Sequence, residues 1–113
     1  MNTFGYIGAA ITILGGVIGL AFPGPVSRTI GLSLDGRLGR SEFRATYGGL
    51  FLAAGVAAIV IDSSDATLLL ACAWFGAAAG RTMSAVVDRS WSKENLAGIA
   101  IEVITGSLLL AAT

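Results

Sequence analysis

Histidine is absent from this chain of 113 residues, and cysteine occurs only once, at Cys72. Without histidine the chain has no imidazole metal site and no Ser-His or Cys-His catalytic arrangement. A single cysteine excludes an internal disulfide, and because Cys72 lies in an apolar run we expect it to be a buried small hydrophobic side chain. The sequence also contains no phosphate-binding glycine loop, metal-ligand cluster or nucleophile–base pair. We therefore predict no enzymatic activity, no metal site and no cofactor.

Charged residues are also scarce, at 12% of the chain, whereas soluble domains average about 25%. Hydrophobic residues make up 55% of the chain, and the mean hydropathy is +0.82. A soluble fold of this composition would expose a large apolar surface to water, so the composition predicts that a lipid bilayer surrounds the protein. The seven basic and seven acidic residues give a formal net charge of zero, which predicts no general attraction to nucleic acid.

Four apolar segments predict an all-α membrane protein with a single domain, residues 1–113, built as a bundle of four transmembrane helices. The first segment, residues 4–22, has no charged residue and spans about 28 Å as a helix, close to the thickness of the hydrocarbon core. The others are residues 45–61, 66–87 and 95–113. A signal peptide is the alternative for the first segment, but it has no basic residue before its apolar run, so we expect the segment to be retained.

The basic residues are confined to two loops. All seven lie within residues 23–44 and 81–94, and neither the termini nor the turn at residues 62–65 contains one. Under the positive-inside rule both loops should face the cytoplasm, with both termini on the opposite side. The short turn at residues 62–65 also predicts that the second and third helices are antiparallel neighbours.

The first of these loops begins with two prolines and is interrupted by glycines. Pro23 and Pro25 should end the first helix, because proline lacks the N–H that a helix interior needs. Residues 26–38 mix polar and apolar side chains, which predicts a short, broken interfacial helix on the cytoplasmic headgroups. The pair Asp35–Gly36 predicts a turn within it.

A weak internal repeat relates the two halves of the chain. Residues 28–35 and 81–88 share an arginine and an aspartate seven positions apart, and residues 44–54 parallel residues 102–112. We predict two helical-hairpin repeats in parallel orientation, related by an axis along the membrane normal. Chance similarity between segments rich in alanine, glycine and leucine is the alternative.

A Glu-x-Arg-Ala-x-Tyr-Gly-Gly run occupies residues 42–49, and three charged residues further along the chain accompany it: Arg81, Asp88 and Glu102. On these residues the chain resembles a bacterial family of small four-helix membrane proteins that is catalogued as a domain of unknown function. The resemblance covers most of the chain from Gly19 onward. It implies a multi-pass protein of the bacterial inner (cytoplasmic) membrane with periplasmic termini, and it names no reaction. One departure is Arg89, where the family pattern has glycine.

Two charged residues lie inside predicted spans, Arg81 in the third and Glu102 in the fourth. An ionised group at bilayer depth costs about 2.5 to 3.5 kcal/mol, so it is expected to face the bundle interior and to have a partner. Arg81 is the first candidate partner for Glu102, and Arg44, at the entrance of the second span, is the second. The result is either an ion pair that fixes the helix register or a site for a polar ligand or ion.

A second cluster, Glu42, Arg44 and Tyr47, lies at the start of the second span. We predict that Glu42, Tyr47 and Asp88 form the cytoplasmic mouth of a site whose floor is Arg81 and Glu102. The simpler alternative is an acidic helix start, a snorkelling arginine and an interfacial tyrosine.

Small and aromatic side chains predict helix packing. The motifs Gly15-x-x-x-Gly19 and Gly76-x-x-x-Gly80 are typical of helices in close contact. Trp74 with Phe75 is expected to serve helix packing, and Trp91 to anchor a loop at the headgroups.

Two functions follow from these observations. The favoured one is a structural or accessory subunit that packs with itself as a homo-oligomer or with a larger membrane complex, because four short helices with small side chains should enclose little volume. The alternative is a module that binds or transports a small polar or amphipathic molecule between the two hairpins. A polar cavity that reaches Glu102 would favour binding, and a dry Arg81–Glu102 pair would favour the accessory role.

Overall fold

The computed structural model describes the whole chain, from Met1 to Thr113, as five helices without a strand. We number them in chain order as α1 (Thr3–Ala21), α2 (Pro23–Thr29), α3 (Gly36–Ile61), α4 (Ser64–Val87) and α5 (Lys93–Leu110). Helices α1, α3 and α4 are long and apolar enough to cross a membrane. The predicted all-α class is therefore confirmed.

Side-chain caps and prolines set the helix ends. The Asn2 side chain accepts a hydrogen bond from Gly5 N (3.0 Å), and Ser63 Oγ accepts one from Ala66 N (3.1 Å), which satisfies backbone donors in the first turns of α1 and α4. Helix α1 ends at Ala21, two residues before Pro23, as the prolines predict. Pro23 itself is the first residue of α2, where its missing N–H costs nothing.

The loop after α1 differs from the prediction. Instead of an interfacial helix over residues 26–38, α2 begins at Pro23 and ends at Thr29, and residues 30–35 are not helical. Gly31 follows the end of α2 and Gly36 is the first residue of α3, and both have left-handed φ values, +83° and +62°. Helix α3 then begins at Gly36, nine residues before the predicted start at residue 45. Its first two turns carry charged side chains, and for this reason the sequence suggested a loop there.

A π-helical segment, Arg44–Leu50, interrupts α3 between two α-helical parts. It lies where α1 and α3 are closest. A Cβ on Gly19 would overlap the Tyr47 carbonyl oxygen, and one on Gly16 would overlap the backbone N–H of Leu52. Glycine is therefore required for this helix crossing. Of the two glycine motifs, the first packs through Gly19 and the neighbouring Gly16, whereas Gly76 and Gly80 have no atom within 4 Å of the Cβ position.

The helices form two hairpins, α1 with α3 and α4 with α5, and α1 packs against α5 to join them. Only two residues separate α3 from α4, yet these two helices contact each other much less than each contacts its hairpin partner. The Cα atoms occupy 38 × 31 × 16 Å, a flattened shape. Thus α3 and α4 meet near their turn, as predicted, but diverge from it and leave a space between the hairpins.

The two ends of the molecule differ in charge. The Met1 amino group lies 2.6 Å from Asp62 Oδ1, and Asn2 Nδ2 donates to Ala111 O at 3.0 Å. Both termini and the α3–α4 turn therefore gather at one end. The two loops that contain the basic residues lie at the other.

Alanine is the commonest buried hydrophobic residue, and most of the large apolar side chains face outward. Ala58, Leu70, Ala71 and Leu109 form the buried cluster, while Leu69 is exposed. Cys72, which we expected to be buried, is exposed. The reason is helical geometry, because α4 buries Leu70 and Ala71 and the next residue points about 100° away from Ala71.

Candidate functional site

An ion pair joins α4 and α5. Arg81 Nε contacts Glu102 Oε1, and Arg81 Nη1 donates to Asn95 Oδ1 at 3.3 Å. The Asn95 amide in turn donates to Ser90 O at 2.9 Å, which ties the pair to the loop between the two helices. The Glu102 side chain is 7% exposed and that of Arg81 is 29% exposed. The carboxylate is thus buried behind the guanidinium.

Helix geometry brings these residues to similar depths. Arg81 precedes the end of α4 by six residues, about 9 Å, and Glu102 follows the start of the antiparallel α5 by nine, about 14 Å. The long arginine side chain covers the difference. Gly98, one turn before Glu102, makes room for it, since a Cβ at Gly98 would lie 2.8 Å from Arg81 Cζ. Gly98 and Glu102 are four positions apart and therefore lie on one face of α5.

Arg44, the second candidate partner, does not pair with Glu102. Its Nε donates to the carbonyl oxygen of Leu20 at 3.0 Å, in the last turn of α1. Because α1 ends at Ala21, its last backbone carbonyls have no helical N–H donor, and a cation at a helix C-terminus is electrostatically favourable. Arg44 therefore holds α3 against α1.

Of the three residues predicted for the mouth, only Tyr47 lines the space between the hairpins. Its ring is half-buried and stacks on Phe43, with 4.8 Å between ring centroids. Glu42 is exposed in the first turns of α3 and lies outside this space. Asp88 is exposed as the C-terminal cap of α4, where its N–H donates to Ser84 O at 2.9 Å. The predicted mouth is therefore wrong for Glu42 and Asp88.

Arg89 follows with a φ of +55°, a left-handed conformation. The resemblance implied glycine at this position, and glycine is the residue that adopts such a φ without strain. The loop thus has a backbone shape that glycine would favour.

A cavity of about 680 Å³ lies between the two hairpins and reaches the ion pair. Its walls come from all five helices and from the α4–α5 loop. Polar groups line it, mostly towards the loop end: Thr46, Tyr47, Arg81, Ser84, Ser90, Asn95 and Glu102. Apolar side chains, among them Phe51, Trp74 and Ile101, complete the lining. The cavity therefore combines hydrogen-bonding groups with an apolar wall.

Trp74 has a larger role than the sequence suggested. Its Nε1 donates to Thr12 Oγ1 at 3.0 Å, which links α4 to α1, and its ring meets that of Phe51 edge-on at 5.3 Å. We predicted only helix packing for Trp74. The available signal was Thr12, a lone polar residue inside the first apolar segment, which is buried here and accepts this hydrogen bond.

The side chains around the cavity offer hydrogen-bond donors, one cation and aromatic faces. No group of three or more Cys, Asp or Glu side chains is arranged to hold a metal ion. The arrangement is therefore suited to binding a molecule through polar contacts at one end and apolar contacts at the other.

Comparison with known proteins gives one match. A family model described as a domain of unknown function, DUF4345, matches residues 1–113. This agrees with the resemblance that the sequence indicated. No curated protein and no solved structure matches the chain.

Proposed function

The chain belongs to the DUF4345 family, a domain of unknown function, and from the geometry of the cavity we propose that it is a membrane module that binds a small polar or amphipathic molecule between its two hairpins. The observation that carries the proposal is the cavity of about 680 Å³ that reaches Arg81 and Glu102. Small-molecule sites are typically about 300 to 1,000 Å³ and combine an apolar lining with a few polar groups.

The accessory role was favoured because small side chains should enclose little volume. In this structure α3 and α4 diverge and a cavity occupies the gap, which supports binding over the accessory role. A direct Arg81–Glu102 pair was expected to accompany a dry interior. Here the pair borders an open cavity instead, and Arg81 is partly exposed to it.

In the proposed membrane arrangement α5 is a fourth span beside α1, α3 and α4. Its charges are Lys93 and Glu94 in the first turn, at the level of the headgroups, and Glu102, which Arg81 neutralises. Beyond this first turn, the large side chains that α5 exposes are apolar, namely Leu96, Ile101, Val103, Ile104 and Leu110. A lipid-facing helix needs such a surface.

Matching contacts in the two hairpins support the proposed parallel repeat. Arg44 on α3 bonds to α1, and Glu102, its counterpart in the repeat, bonds to Arg81 on α4. Four residues after each lies a buried glycine in close contact with the preceding helix, Gly48 against Leu20 and Gly106 against Phe75. In each hairpin, residues at equivalent positions of the repeat therefore connect the second helix to the first.

The orientation is tested by cysteine labelling in intact cells. We propose that both termini and the Asp62–Asp65 turn face the periplasm of a bacterial inner membrane. In a Cys72→Ala background, a membrane-impermeant thiol reagent should label Ser63→Cys and leave Ser92→Cys unlabelled. Both positions are exposed, so accessibility within the protein does not bias the comparison. The opposite labelling pattern would contradict the orientation.

Binding is tested by filling the cavity. Ala77 lines it on α4, whereas Ala79 on the same helix is exposed and lies outside it. After mild detergent extraction, native mass spectrometry should find a bound small molecule on the unmodified protein and on Ala79→Phe. We expect Ala77→Phe to lose most of that species, because its ring occupies the cavity.

The accessory role predicts a different result. If the unmodified protein carries no bound molecule, or if Ala77→Phe retains as much as Ala79→Phe, the binding proposal fails. A protein partner that co-purifies equally with all three proteins would then indicate the accessory role.

A further inference from the structure

A second, smaller cavity adjoins the first. It has a volume of about 180 Å³ and shares Phe51, Trp74 and Ala77 with the larger one. The Phe51–Trp74 ring contact therefore lies at the boundary between the two spaces. This arrangement gives the site two compartments along α4.

The small cavity is almost entirely apolar. Thr12 is its only polar lining residue. Its hydroxyl donates to Gly8 O at 2.9 Å and accepts from Trp74 Nε1 at 3.0 Å. No polar group is left there for a ligand, so the compartment suits a hydrocarbon segment. Its volume is far smaller than that of the larger cavity, so it suits a short segment of one hydrocarbon chain.

The large cavity presents the guanidinium group of Arg81, which is paired with Glu102. Arg81 exposes 29% of its side chain, while the Glu102 carboxylate is buried behind it. Arginine has five N–H donors, and the contacts with Glu102 and Asn95 use only some of them. The remaining donors, with the hydroxyl groups of Ser84 and Tyr47 on the same walls, favour a ligand group rich in acceptor oxygens.

The two compartments lie in line. Trp74 precedes Arg81 by seven residues on α4, which separates them by about 10 Å along the helix, and Leu70 in the small cavity lies one turn further. The polar end is the one nearer the basic loops. A molecule with one polar and one apolar end would therefore lie parallel to α4, with its polar end towards the loops.

We infer that the ligand is a single-chain anionic amphiphile, whose carboxylate or phosphate group binds at Arg81 and whose hydrocarbon chain passes Phe51 and Trp74 into the apolar cavity. This inference rests on the proposed function and specifies its ligand. The hydrocarbon chain of the ligand enters where α3 and α4 diverge.

Fluorescence of Trp74 tests the position of the chain. The protein has two tryptophans, so Trp91→Phe leaves Trp74 as the only one. In phosphatidylcholine vesicles, stearic acid brominated at mid-chain should quench this fluorescence, because the bromine atoms come close to contact with Trp74. The quenching should saturate as the concentration of the acid rises. The brominated alcohol of equal length, which lacks the anion, should need at least a tenfold higher concentration. Competition by unbrominated laurate and by dodecyl phosphate shows which anion binds more tightly.

Two variants, one for each cavity, test the two compartments independently. Ala73→Phe fills only the apolar cavity, and its control is Ala79→Phe, outside both cavities. We expect Ala73→Phe, and separately the double variant Arg81→Gln with Glu102→Gln, to raise the half-saturating concentration at least tenfold. Far-ultraviolet circular dichroism confirms that each variant is folded.

The inference would be overturned if quenching rises linearly with the concentration of brominated acid and is equal in Ala73→Phe and Ala79→Phe. Such quenching would come only from brominated acid dissolved in the surrounding bilayer. Equal quenching by the acid and the alcohol would overturn the assignment of the anion to Arg81. If either occurs while mass spectrometry still finds a molecule that Ala77→Phe excludes, the ligand class is wrong and the proposed function stands. If no molecule is found, both fail.

Discussion

The Glu102→Gln variant should be less stable than the unmodified protein by about 3 kcal/mol in free energy of unfolding. The substitution keeps the side-chain shape but leaves Arg81 without its counter-ion inside the protein. Removing one member of a buried pair typically costs about 3 to 5 kcal/mol, and we expect the lower end because Arg81 is partly exposed to the cavity. The measurement is reversible unfolding in detergent micelles, monitored by circular dichroism.

Two further variants make this prediction specific. Glu94→Gln removes an exposed carboxylate from the first turn of the same helix and should cost less than about 1 kcal/mol. The double variant Arg81→Gln with Glu102→Gln leaves no unpaired charge, so it should regain much of the stability that Glu102→Gln loses. If the double variant loses as much free energy of unfolding as Arg81→Gln and Glu102→Gln lose in total, the pair does not stabilise the fold.

The second large effect is expected at the crossing of α1 and α3. In Gly19→Ala the new Cβ overlaps the Tyr47 carbonyl oxygen, which belongs to the backbone and has no rotamer to move to. The helices must separate, and we expect a loss of about 3 kcal/mol, at the upper end for overpacking, or failure to accumulate in the membrane.

The control for this substitution is Gly76→Ala on α4. No atom lies within 4 Å of its Cβ position, so the methyl group meets nothing within the protein. Alanine also favours a helix over glycine by up to about 1 kcal/mol, so this variant should be equally or slightly more stable. Comparable losses in Gly19→Ala and Gly76→Ala would show that the crossing does not depend on glycine.

The apolar segments were enough to predict the four long helices, although not α2 or the start of α3. The first span ends one residue before the predicted Phe22, and α4 ends at the predicted Val87. The start of α3 was missed because Arg37, Arg40 and Glu42 suggested a loop, although charged side chains are compatible with the first turns of a helix that extend beyond the apolar part. Local composition does not distinguish these two cases.

The site was harder to predict than the helices. The cost of a charge at depth identified Arg81 and Glu102, and the antiparallel geometry of α4 and α5 brings them together. The cavity depends instead on the angle at which α3 leaves α4, which no residue type specifies. The sequence indicates only a packing role for Trp74, because its polar partner, Thr12, lies 62 positions away in the sequence.

The π-helical segment Arg44–Leu50 has a consequence for comparing sequences within the family. A π-turn contains one residue more than an α-turn, so α3 carries the equivalent of a one-residue insertion beside its contact with α1. Each residue turns an α-helix by about 100°. A relative with a regular α-helix here must therefore either present a different face to α1 or lack one residue between Phe43 and Phe51. Alignments of such relatives should place a single-residue gap in this segment.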